Sequence, residues 1–111
     1  MSVYDTATKL ASEIRNSKEY NDFVTNMKNI KRDKDNEYLL SEYKKLQYNL
    51  QYATMNNKKI DKKALKKMES IQNKIRDNEK IYNYLLSEEK FNLMMDNINK
   101  IIAQIVKEDY K

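Results

Sequence analysis

The chain has no cysteine, histidine, glycine or proline. Without Cys there is no disulfide framework and no cysteine-held zinc or iron–sulfur centre. Without His the commonest general base and metal ligand is missing. No usual nucleophile–base pair can then be assembled, which argues against an enzyme. Without Gly there is no glycine-rich phosphate loop. Turns that need a positive φ must use other residues. An all-β fold needs such turns many times over, so the chain is read as all-α. No apolar run approaches the roughly 18 residues of a membrane span. The opening Met1-Ser2-Val3-Tyr4-Asp5 has no basic region before an apolar stretch, so no secretory signal is expected and the cytoplasm is the expected location.

What is present is mostly Lys, Asn, Ile and Tyr, which make up nearly half of the 111 residues. That length suits one domain, spanning 1–111, with one modest core. The net charge is +5, but only three of the 22 basic residues are Arg. Arg is the residue suited to gripping phosphate in a fork. The basic balance therefore reads first as solvated surface.

The stretch 78–108 organises the rest. Ile81, Leu85, Phe91, Met94/Met95, Ile98, Ile101/Ile102 and Ile105 recur at steps of three and four, one stripe of a helix. Such a helix would be about 45 Å long, against a diameter near 34 Å for a compact chain of this size. It should be a spine that overhangs shorter helices. The end of that overhang is apolar on more than one side, through Ile98, Ile101, Ile102, Ile105 and Val106. One neighbouring helix cannot cover such a face, so a second copy of the chain is expected there, in a homodimer or a larger homo-oligomer.

Earlier segments read as shorter helices. Val3, Ala7, Leu10, Ala11 and Ile14 share a face of a helix over 3–16. Ser17 reads as the cap of a second helix, 18–31, that buries Tyr20, Phe23, Val24, Met27 and Ile30. A third, 35–55, has Leu39, Tyr43, Leu46, Leu50 and Ala53 in a coiled-coil-like seam. Tyr38, Tyr43, Tyr48 and Tyr52 are expected at its rim, rings inward and hydroxyls outward. The loop Asn56-Asn57-Lys58-Lys59 can turn because Asn tolerates the left-handed conformation. Asp61 then caps a fourth helix, 62–76, with Leu65, Met68, Ile71/Gln72 and Ile75 inward. Asp77-Asn78-Glu79 opens the last helix, 79–108. The expected architecture is an elongated bundle of four to five helices.

Three features invite a site. Lys59, Lys62, Lys63, Lys66 and Lys67 are placed on one helical face, where like charges oppose one another by about 0.2–0.5 kcal/mol per pair. An acidic partner or RNA would relieve that, whereas a solvated face needs no partner. Glu88 falls on or beside the apolar stripe and is expected to accept a bond from a rim Tyr or Lys, since a bare buried charge is costly. Met27, Met68, Met94 and Met95 are soft side chains that suit either a core or an adaptable groove. No carboxylates recur at metal-ligand spacing.

The pattern also resembles a known family. Tyr4-Asp5, Ala7, Leu10-Ala11, Ile14, Ser17, Glu19-Tyr20 and Phe23 are similar to the opening of the YlbF/YmcA-like family of small bacterial helical proteins. Leu46-Gln47-Tyr48-Asn49-Leu50-Gln51 resembles its middle helix, and Ser87-Glu88, Phe91, Met94-Met95, Ile98 and Ile101-Ile102 its last. The resemblance implies an all-α homo-oligomer from low-GC Gram-positive bacteria. It implies a non-catalytic regulator of competence, sporulation and biofilm formation, acting through a protein complex with RNase Y in messenger RNA processing. Some members bind iron–sulfur clusters through Cys; this chain has none, so no cofactor is expected. The second reading is an RNA-binding helical module that uses the lysine-rich face and the tyrosines.

Overall fold

The computed structural model describes residues 2–109. Five helices follow in order: α1 (Val3–Arg15), α2 (Lys18–Lys31), α3 (Lys34–Met55), α4 (Lys62–Arg76) and α5 (Glu79–Asp109). Among the described residues there is no strand. The helix limits lie within one residue of those read from the periodicity.

Each helix begins on a side chain that accepts from its first turn, where backbone N–H groups have no helical partner. At α1 the Ser2 hydroxyl accepts from the Asp5 N–H at 3.1 Å, and the Asp5 carboxylate accepts from the Ser2 N–H at 3.2 Å. Asp33 accepts from Asp35 and Asn36 ahead of α3, and Asp61 from Lys63 ahead of α4. The Asn78 side chain accepts from the Ile81 N–H at 3.1 Å and donates its amide N–H to the Asn36 side-chain oxygen Oδ1 at 2.6 Å. Such caps contribute about 1 kcal/mol each. Ser17 makes the break between α1 and α2. Its Oγ accepts from the Tyr20 N–H at 3.2 Å and donates to the Ile14 carbonyl at 2.6 Å.

The end of α3 shows how the chain turns without glycine. Asn57 has φ 54°. The Lys58 N–H bonds the Ala53 carbonyl at 2.9 Å, and the Asn57 N–H bonds the Thr54 carbonyl at 3.3 Å. That pair of bonds is a Schellman closure, in which the left-handed residue is usually Gly or Asn.

Contacts gather into two compact units: Met1–Met27 with Tyr84–Lys111, and Lys28–Asn83. In the second unit α3 packs on α4. Its buried apolar residues are Ile30, Leu40, Met68, Ile71, Ile75 and Ile81, the last with no exposed surface. In the first unit α2 and α5 meet through rings. Phe23 stacks on Phe91 at 5.3 Å, with Tyr20 5.6 Å from Phe91 and Tyr84 5.7 Å from Phe23. Ser87 is buried beside them and donates its hydroxyl to the Tyr84 carbonyl at 2.8 Å.

Several side chains depart from expectation. Leu65 is half exposed rather than inward. Tyr38, Tyr48 and Tyr52 are exposed rather than tucked at a rim; only Tyr43 of that set is half-buried. The buried α3 residue is Leu40, next in sequence to Leu39 of the seam, whose members are half-buried. Nothing on α1 is buried: Leu10 and Ile14 are half-covered, while Val3, Ala7 and Ala11 are exposed. Ala lacks the reach to be covered by a distant neighbour, so this stripe is shallow.

Asn57→Ala should cost about 1 kcal/mol, because a Cβ-bearing residue without a short polar side chain resists the left-handed region. Asn57→Gly should be neutral or better. Urea unfolding of the two variants checks the ordering.

Candidate functional site

α5 carries the apolar end because its sequence stays helical, without Gly or Pro, through Asp109. Its apolar stripe is half-buried at Met94, Met95 and Ile98. It then emerges: Ile101 is 65% exposed, Ile102 55%, Ile105 66% and Val106 54%. Leu93 is exposed on the same helix. Four β-branched side chains in two turns thus face water. Single exposed apolar residues are ordinary, but a contiguous group marks an interaction surface.

Lys62, Lys63, Lys66 and Lys67 are exposed on α4. Lys59 precedes the helix, so it does not share the helical face assigned to it above; the Asp61 cap starts the helix only after it. Lys67 Nζ lies 3.5 Å from Glu42 Oε2 on α3. The lysine end is largely solvated, so the pair contributes under about 1 kcal/mol. Lys58 Nζ sits over the Tyr52 ring, 5.1 Å from its centroid. Neither contact could be read from local spacing, since each joins residues brought together by the α3–α4 turn. An open groove of about 410 Å³ runs between these helices, lined by Tyr43, Gln47, Leu50, Met55, Met68 and Gln72.

Glu88 is half-buried and accepts from the Tyr84 hydroxyl at 2.8 Å. That tyrosine sits one turn back on α5, which identifies Glu88 as part of a packing network. Met27, Met94 and Met95 are half-buried in the first unit and Met68 is buried in the second. Among the described residues no group of three or more Asp or Glu is placed to hold a metal ion. No described helix is long and apolar enough to cross a membrane.

What the site offers is therefore surface for contact: an apolar helix end, a lysine-bearing helix and exposed rings, in an all-helical protein. The chain belongs to the YlbF/YmcA family: the family model described as "Control of competence regulator ComK, YlbF/YmcA" matches residues 3–107. The description is that of a regulatory family. A UPF0342 protein of Lacticaseibacillus casei is 29% identical over 98% of this chain and 96% of its own length. Another, from Halothermothrix orenii, is 31% identical over 92% of this chain and 86% of its own. A solved structure from Bacillus stearothermophilus, a protein of unknown function (DUF964), aligns with a TM-score of 0.78 at 16% identity. It covers 98% of this chain and 96% of the other. It shares the fold.

Tyr84→Phe removes the bond to Glu88 and should cost about 1 kcal/mol of stability. Circular dichroism during urea unfolding checks this, and the variant should keep the wild-type mass in light scattering.

Proposed function

We propose that the chain is a non-enzymatic regulatory adaptor that works as a homo-oligomer, its copies joined through the apolar end of α5. The observation that carries this reading is the exposure of Ile101, Ile102, Ile105 and Val106, each more than half open to solvent. Water opposes that exposure, and a second copy presenting the same surface removes it for both. Ile98 extends the patch inward.

Family membership supports a regulatory duty exercised through protein contacts, with control of competence the nearest description. The processes proposed for it are RNase Y-dependent messenger RNA processing in the cytoplasm, with competence, sporulation and biofilm formation downstream. In this reading no residue acts as a catalyst. The oligomer displays a surface that a protein partner binds.

Ile102→Lys tests the contact. A buried Ile contributes roughly 1.5–3 kcal/mol, and the substitution occurs twice at a two-fold interface. The oligomer should weaken by more than about a hundredfold. Sedimentation or light scattering at micromolar concentration should show the wild type assembled and the variant monomeric, with helicity unchanged. A monomeric wild type would end the proposal. Affinity capture from the native cytoplasm, probed for the ribonuclease complex, tests the partner.

A further inference from the structure

The outer face of α3 carries a second ordered surface. Lys34, Tyr38, Ser41, Lys45, Tyr48 and Tyr52 follow one another at steps of 4, 3, 4, 3 and 4. That spacing places them along one side of the helix. All six are exposed, with Tyr38 at 69%, Tyr48 at 68% and Tyr52 at 50%. The row runs for about 27 Å. At its far end Lys58 folds back from the loop, so that its ammonium lies over one face of the Tyr52 ring and leaves the other face to a base. Glu37 lies at one edge of the row; Asp35 and Glu42 lie on the other flank, where Glu42 faces Lys67.

We infer that this face binds single-stranded nucleic acid. Exposed rings give bases a flat surface to stack on, and the lysines between them meet the phosphates. Tyr48 and Tyr52 lie one turn apart, about 6 Å along the axis, which lets neighbouring rings serve one strand. Lysines act as point charges, so they track a backbone without reading sequence. A helical protein partner fits less well. It would desolvate Lys34 and Lys45 at the positions where a helix–helix seam places apolar residues. A duplex fits less well too, because its bases are already stacked and paired.

The probe is a fluorescein-labelled single strand of about twelve uridines, compared with a duplex of equal length, in about 50 mM salt. Anisotropy should rise with the single strand at lower protein concentration than with the duplex. Tyr48→Ala with Tyr52→Ala should weaken binding tenfold or more. Tyr48→Phe with Tyr52→Phe keeps the rings and should keep the affinity, which separates stacking from damage to the fold. Lys45→Ala with Lys58→Ala should lower the slope of log affinity against log salt by about 1.4. The chain has no Trp, so quenching of tyrosine emission on binding gives a second readout. No binding at low salt, equal binding of the duplex, or unchanged affinity in the Tyr→Ala variant would each overturn the inference. So would a Tyr→Ala variant that alters the oligomer and leaves nucleic-acid binding intact, because the face would then be a contact between copies.

Discussion

The stack of Phe23 on Phe91 holds α2 to α5 within the first unit. Tyr20 and Tyr84 brace it from either side, and Tyr84 in turn is tied to Glu88 and to the Ser87 hydroxyl. The rings do here what aliphatic side chains do in the other unit. Aromatic pairs add about 0.5–1.5 kcal/mol beyond the area they bury. They also fix which turn of α2 faces which turn of α5, because a tilted or stacked ring fits only a narrow range of offsets. With Phe91 anchored, the turns of α5 that follow from Ile98 are carried beyond the anchor, and their isoleucines stay in water.

Much of this is legible in the amino-acid sequence. A chain without Gly or Pro can break its helices only with caps and with residues that tolerate positive φ. Ser17, Asp61, Asn78 and Asn57 stand at those places in the sequence, and each makes the bond or adopts the φ that its type suggests. Helix limits follow from such punctuation because it is local chemistry. That Glu88 needs a donor was legible, because a carboxylate on an apolar stripe cannot stay bare; the donor itself was not, since it is the buried Tyr84 one turn back on α5 rather than a tyrosine at the rim.

Exposure was harder to read than helicity. The tyrosines of α3 look like rim residues because an amphipathic ring suits a boundary, yet Tyr38, Tyr48 and Tyr52 lie on the far side from the packed face. Periodicity gives angle about the axis but leaves the width of the covered arc unknown. Leu65 fails in the same way: it belongs to the inward stripe by spacing, yet α3 does not reach round to it. The α1 stripe is apolar by pattern but only half-covered at Leu10 and Ile14 and open elsewhere, because covering is a property of the neighbour. The Lys67–Glu42 pair and Lys58 over Tyr52 depend on the α3–α4 turn, which no window on one helix contains.

A solved structure at 16% identity shares this fold with a TM-score of 0.78. A fold that sequences so different both adopt is specified by pattern: stripe spacing, caps and turn residues, each of which several side chains satisfy. The positions that set the pattern say little about activity for that reason. Function in such a scaffold must come from what the stripes leave outside. Here two unlike chemistries are outside. The end of α5 offers aliphatic groups with no polar atom, a surface that gains by excluding water and so favours another apolar helix. The outer face of α3 offers rings with hydroxyls between ammonium groups, a surface that remains hydrated and favours a polyanion with flat bases. One protein can bear both because they lie in different units and draw on different residues. Removing either set by substitution leaves the buried isoleucines and the ring stack untouched.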